Sequence, residues 1–372
     1  MVVSLDMAHE NIRQAQKNKK DEFYTSYDDV QNEVSHYRDA FWGKTVLCNC
    51  DDVYRSNFVK YFLINFNDLH LKRLIVTGFS VGDDKNAYAL DILSVGASLS
   101  LQTVNDFIAK QCKAFISRLS GDFSEKKFYP AGDFRSSACI DYLKQADIIC
   151  TNPPFSKFKE FLSLLNQYQK QFLIIGNQNA ITYKDVFPLI KSNKLWLGYG
   201  FRGNVGFFDS PYLDTATSNQ HCDGKIRVSG VVWFTNIDYK SRHSSSLNLE
   251  RSYYDNPKKY PKYHNYDAIH ISKTSEIPYD YDGVMSVPIT FLNSFSPNQF
   301  EILGLSSKEN CGSVSRLHSN DFYNGYRRGK VSTRIESNLP LLDTPEFGGT
   351  LCKKDGNPDL YQMYWRIFVK RK

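Results

Sequence analysis

The chain has 372 residues, of which 41% are apolar, 15% aromatic and 23% charged, enough for two domains of roughly 100–200 residues each and ordinary for a globular protein. No apolar run approaches the roughly 20 residues that cross a bilayer, no charged-then-apolar leader opens the chain, and the eight cysteines form no Cys-x-x-Cys pair, which excludes a zinc knuckle and points to free thiols in a reducing cytoplasm. The net charge is +6, and ten basic against five acidic residues from Tyr323 to Lys372 carry most of that excess, which suits a polyanionic partner or a solvated surface.

Residues 7–40 are polar and predict helix. Lys44–Cys50 is apolar and β-branched, a buried strand. Helical apolar spacing follows over Ser56–Asn65, then a second strand, Arg73–Thr77, closed by Gly78. Ser98–Leu119 fits a strand or a helix. Gly132-Asp133-Phe134-Arg135-Ser136 is a turn before a helix at Ala138–Gln145. Ala146–Thr151 is a short buried strand, Lys157–Gln169 a helix, and Gln171–Gly176 another strand. Leu195–Gly198 and Val228–Thr235 predict two more. Short apolar strands alternating with helix-length segments imply an α/β fold with a mostly parallel central sheet. Ligands of such sheets bind beyond the carboxyl ends of the strands, at a switch point. After about residue 240 the alternation stops, and Tyr239–Asp282, rich in Lys, Tyr, Ser and Asp, reads as surface loops or an inserted recognition region.

Thr151-Asn152-Pro153-Pro154-Phe155 is the most specific segment. It leaves a buried strand, and its two prolines hold the backbone extended. Pro153 has no N–H, so the turn offers acceptors. The Asn152 side-chain carbonyl and the Pro153 backbone carbonyl suit one exocyclic amino group, and Phe155 gives a flat face beside them. An amine conjugated to a base ring is a poor nucleophile. Acceptors outside the ring plane favour a tetrahedral nitrogen, and the remaining demand is alignment with an electrophilic methyl.

Asn152–Phe155 resembles the catalytic motif of amino-group methyltransferases. Gly132–Phe155, Asp21–Thr25, Val228–Asn236 and Val287–Gly304 resemble, more narrowly, the EcoRI-type adenine-specific DNA methyltransferases. The resemblance implies a Rossmann-like methyltransferase fold, S-adenosylmethionine as donor and no metal. It implies that adenine in double-stranded DNA is the acceptor, flipped out of the helix because its amino group is paired inside. By the same resemblance Asn152 and Pro153, with Pro154, hold the amine and Phe155 stacks on the base. Asp133 and Phe134 contact the adenosine moiety of the donor, and Phe23, Tyr24 and Thr25 its methionine part. The turn after the first strand, Cys48–Asp52, lacks the glycines usual in donor-binding enzymes. Asn49 and Asp51 are its candidate ligands.

Residues 1–240 are accordingly expected to form the catalytic domain and 241–372 the target-recognition region. Arg202, Arg327, Arg328 and Lys330 are candidate DNA contacts, and Phe207 and Phe208 line either the base pocket or the core. The expected enzyme is a monomer, acting alone or beside a separate cognate restriction endonuclease. Two alternatives stand beside it: an N4-cytosine methyltransferase, and a DNA-binding protein without catalysis.

Overall fold

The computed structural model describes residues 24–79, 87–96, 98–119, 122–124, 127–201, 205–209, 221–222, 225–244, 247–260, 262, 267–306 and 365–372. Phe23, Arg202, Arg327, Arg328 and Lys330 lie outside them, as do residues 7–23 of the expected N-terminal helix. The chain divides into two compact units, Met1–Ala180 with Leu197–Asp238, and Ile181–Trp196 with Tyr239–Lys372.

In chain order the first unit contains β1 (Tyr24–Thr25), α1 (Tyr27–Val34), β2 (Thr45–Asn49), α2 (Asn57–Ile64), β3 (Arg73–Phe79), β4 (Ala87–Ile92), α3 (Val104–Lys110) and β5 (Ile116–Arg118). It continues with β6 (Asp122–Ser124), β7 (Lys127–Tyr129), α4 (Ser137–Gln145), β8 (Ile148–Thr151), α5 (Phe158–Gln167) and β9 (Gln171–Asn177). The unit is re-entered at β10 (Trp196–Leu197), followed by β11 (Val205–Asp209), β12 (His221–Cys222), β13 (Lys225–Ser229) and β14 (Val231–Thr235).

The central sheet runs β10-β14-β9-β8-β2-β3-β4-β5. Its middle is parallel: β9 on β8, β8 on β2, and β2 on β3 with Asn49 opposite Thr77. Every residue of β2 and β8 is buried, as expected of strands covered on both faces. The flanks are antiparallel, β14 against β9 and β5 against β4 against β3. The expectation of a mostly parallel sheet is corrected to a mixed one. Only residues 80–86 join β3 to β4, whereas a parallel return needs a crossover of about a dozen residues or more.

Val228–Thr235, expected as one strand, is two. Gly230 has φ +70°, a conformation glycine adopts without strain, and it parts β13 from β14. β13 belongs to a second, antiparallel sheet of order β1-β11-β13-β12. The open segment Ser98–Leu119 contains helix and strand both.

The helices have local causes. Ser56 caps α2 by accepting from Val59 N, and Ser136 caps α4 by accepting from Cys139 N. In α5 Phe158, Phe161, Leu162 and Leu165 are buried, the i, i+3, i+4, i+7 stripe of an amphipathic helix. A Cβ at Gly176 on β9 would lie 2.4 Å from the Phe158 ring, so glycine there permits close contact with that stripe.

The second unit contains α6 (Phe187–Lys191), α7 (Lys240–Ser244), β15 (Ile269–His270), β16 (Met285–Pro288), β17 (Phe300–Leu305) and β18 (Arg366–Arg371). Its sheet runs β15-β16-β18-β17, parallel only between β15 and β16. Arg366 is buried and donates to Ser286 O at 2.7 Å and to Ile271 O, which satisfies its charge with backbone carbonyls.

Candidate active site

The strand order reverses between β2 and β8. The chain leaves β2 toward β3 on one side and later builds β8 and β9 on the other. The carboxyl ends of these strands share one edge, and the reversal opens the crevice where such sheets take ligands. Asn49 and Asp51 leave β2 there, and Thr151–Phe155 leaves β8.

Five hydrogen bonds lock the β2 turn. Thr151 Oγ1 donates to Asn49 O and lies 2.7 Å from Asp51 Oδ2. Thr77 Oγ1 on β3 donates to Asn49 Oδ1 at 2.8 Å, and Asp51 N donates to Thr77 O at 3.2 Å. Cys50 takes φ +63°, and its N–H folds back onto Asn49 Oδ1 at 2.9 Å. Glycine is absent from this turn but present opposite it: a Cβ at Gly78 would lie 2.0 Å from Asp51 O. The close approach usually given by a glycine in the first turn comes here from the neighbouring strand. Asp52 Oδ1 then accepts from Tyr54 N and Arg55 N, and Val53 N donates to Tyr88 OH at 3.0 Å.

Asp51 is 5% exposed. Burial pushes its carboxyl up to about 7, against hydrogen bonds from Ser56 and Thr151 that favour the ionised form. Asn49 is fully buried, and its Nδ2 has no acceptor among the described residues. The same holds for Oγ1 of Thr25, 2% exposed, whose carbonyl accepts from Asn57 Nδ2 at the start of α2, 2.7 Å away. Gln178 Nε2, just past the end of β9, is also enclosed without an acceptor. Unsatisfied buried polar atoms are rare and call for an explanation. These three lie at the carboxyl ends of β2 and β9 and beside the helix that follows β2. A polar ligand bound at that edge would satisfy them.

The acceptor turn is extended, as the prolines require: Pro154 has φ −52° and ψ 126°. Asn152 and Pro154 are half-buried, Pro153 is buried, and Phe155 is 7% exposed. A short 3-10 turn from Phe155 leads into α5, with Lys157 N donating to Pro154 O at 2.8 Å.

Gly132 joins the Asp133 block to this edge. It has φ +79°, and a Cβ there would stand 2.8 Å from Ala87 Cβ and 3.1 Å from Gly78 O. Asp133 is clamped by Arg135, whose Nη2 lies 2.7 Å and Nε 2.9 Å from its oxygens, and Arg135 also pairs with Glu160. Phe134 is 4% exposed and meets Phe161 edge-on at 5.1 Å. Phe208 is fully buried, while Phe207 is half-exposed.

Sequence reasoning assigns no individual site role to Thr77, Gly78, Thr151, Gln178 or Glu33. Glu33 is 2% exposed and accepts from Tyr37 OH at 2.9 Å and from Tyr199 N and Gly200 N, both at 2.8 Å. Burial raises its carboxyl to about 7 against these three donors. His36 stacks on Tyr199 at 3.8 Å, and Phe201 stacks on Trp233 at 5.5 Å. The helix following Tyr24–Thr25 is thereby tied to the segment that leads to position 202 and β11. Among the described residues no group of three or more His, Cys, Asp or Glu gathers to hold a metal ion, and no helix is long and apolar enough to cross a membrane.

An α/β sheet that presents an Asn-Pro-Pro-Phe turn at its switch point, beside unsatisfied polar atoms, is the frame of an amino-group methyltransferase. The comparisons narrow the class. The chain belongs to the family described as adenine-specific methyltransferase EcoRI, which matches residues 11–372. It is 45% identical over 298 residues to the type II methyltransferase M.EcoRI of Escherichia coli, covering 78% of this chain and 88% of that one. It is 39% identical over 299 residues to the type II methyltransferase M.MgeORF184P of Mycoplasma genitalium, covering 79% and 85%. Against M.MpnI of Mycoplasma pneumoniae the identity is 38% over 299 residues. No solved structure matches. The chain is an adenine-specific DNA methyltransferase and acts with a methyl donor. The family excludes the cytosine alternative.

Proposed function

We propose that the chain transfers a methyl group from S-adenosylmethionine to the exocyclic N6 of an adenine turned out of double-stranded DNA. One observation carries the reading: the Thr151–Phe155 turn leaves β8 at the switch point, bonded through Thr151 to the β2 turn that holds the unsatisfied Asn49 Nδ2. Amine acceptors and an unfilled donor group thus share one crevice.

The donor, when bound, supplies a methyl group on a positively charged sulfur. The rest falls to the chain. Asn152 Oδ1 and Pro153 O accept the two amine hydrogens and draw the nitrogen lone pair out of the ring. Pro154 keeps the turn extended and Phe155 borders the base. Asn49 Nδ2 and Thr25 Oγ1 hold the donor, and Phe23 and Tyr24 contact its methionine part. Asp133 and Phe134 border its adenosine end, the carboxylate oriented by Arg135. Asp51, bonded to Thr77 and Thr151, keeps the β2 turn in register. Arg202, Arg327, Arg328 and Lys330 contact DNA, with residues 241–372 as the recognition region, and a cognate endonuclease acts separately.

The test is methyl transfer from labelled S-adenosylmethionine to duplex DNA, followed by nucleoside analysis. N6-methyladenine is expected. Asn152→Ala is expected to lose transfer while retaining binding of donor and DNA. Transfer by Asn152→Ala at the wild-type rate removes the assignment.

A further inference from the structure

We infer that Arg251–Tyr260, together with Lys262, forms a prestiffened contact surface for the phosphate backbone of duplex DNA. The inference rests on the DNA-methylating reading and adds a surface to it.

From 251 to 262 the chain carries Arg251, Lys258, Lys259 and Lys262 against the single acid Asp255. All five are exposed. Glu276 lies 3.6 Å from Lys259, and among the described residues neither Lys258 nor Lys262 has an acidic partner. Tyrosines are interleaved with these cations. Tyr254 is 69% exposed, and Tyr279, on the segment joined to this loop, is 48% exposed.

A merely solvated loop needs no rigid frame, and this one has one. Asp280 accepts from Ser252 Oγ at 2.5 Å and from Tyr253 N at 2.6 Å, and Tyr254 N donates to it as well. Tyr279 N donates to Arg251 O at 2.8 Å, beside a bridge between Arg251 and Pro278. The Tyr253 ring packs 4.6 Å from Tyr281 and 5.7 Å from Tyr260, which is 3% exposed. Three neutral donors hold the Asp280 carboxylate in place without cancelling its charge, and the cations that face solvent without an acidic partner are Lys258 and Lys262. Such a frame lowers the ordering loss on binding. The outward groups match a DNA backbone: ammonium ions that displace condensed counterions, and a phenol that can donate to a phosphate oxygen.

The test uses the full chain and a random-sequence 30-base-pair duplex, with binding followed by fluorescence anisotropy from low to moderate salt. Each lost phosphate contact lowers the slope of log affinity against log salt by about 0.9. Lys258→Ala/Lys262→Ala is expected to lower it by about 1.8, and Tyr254→Ala to weaken binding with a smaller change of slope. Lys110→Ala/Lys144→Ala removes the same charge from lysines already paired with Asp106 and Asp141, and is expected to keep the wild-type slope. If the loop variants bind like a wild type that itself binds duplex, the inference fails alone. An equal fall in slope for the control pair also overturns it, since net charge would then explain the effect. A wild type that does not bind duplex overturns the DNA-methylating reading together with the inference.

Discussion

Thr151 Oγ1 lies 2.7 Å from Asp51 Oδ2 and also donates to Asn49 O. One hydroxyl thus joins the turn that holds the amine acceptors to the turn beside the donor, across the strand reversal. Thr151→Val keeps the shape and removes the bridge. It leaves the buried Asn49 carbonyl without its donor and Asp51 Oδ2 without its hydroxyl partner, at about 1–3 kcal/mol. Urea unfolding checks the loss. Methyl transfer is expected to fall further than stability alone explains, because both turns lose their common reference.

Asp51, with Glu33, makes stability depend on pH. Unfolded, the Asp51 carboxyl ionises near its ordinary value of 3.8, and folded, at about 7. Between those values the native state holds the extra proton, so stability is full below about pH 4 and declines as pH rises to 7. The Asp51 share of the decline is on the order of 4 kcal/mol. Asp51→Asn removes this part of the slope. Thermal melts of both proteins at pH 5 and pH 8 are expected to show the variant gaining on the wild type as pH rises.

Glu33→Ala strands the N–H groups of Tyr199 and Gly200, and a loss of about 2–3 kcal/mol is expected. Glu33→Gln keeps one carbonyl acceptor and is expected to lose less. If the carboxyl positions the segment leading to position 202, KM for DNA rises in both variants while KM for the donor changes less. Equal changes in the two constants would show a purely structural role.

Gly78→Ala places a methyl 2.0 Å from Asp51 O, where backbone must move. About 1–3 kcal/mol of overpacking strain is expected, with donor affinity reduced. Gly96→Ala, whose Cβ meets nothing within 4 Å, is the matched control. Isothermal titration with the donor checks both.

The central strands were legible because burial on both faces turns each into an unbroken apolar run, as in Thr45–Asn49 and Gln171–Gly176. The break at Gly230 is concealed because one glycine parts Lys225–Ser229 from Val231–Thr235 with no intervening loop. Gly82-Asp83-Asp84-Lys85-Asn86 is rich in turn formers, but a turn does not tell an antiparallel return from a loop into a crossover, so the direction of β4 is not legible. Neither is the excursion Ile181–Trp196, because unit membership follows contacts, not composition. In the site, Asn152–Phe155 is contiguous and visible as a motif. The partnership of Asn49 with Thr77 depends on strand register, and that of Asp51 with Thr151 spans 100 positions. No local pattern announces either, and Glu33 with its partners near 200 is hidden for the same reason.

Gly230 has one more effect. The run from Lys225 to Thr235 serves two sheets without a loop between them: its first half holds β11, which in turn holds β1, and its second half holds β9. Melting either sheet pulls on the backbone of the other. The first unit is therefore built to unfold cooperatively, and a destabilising change in the hairpin of β11 and β13 is felt in the central strands.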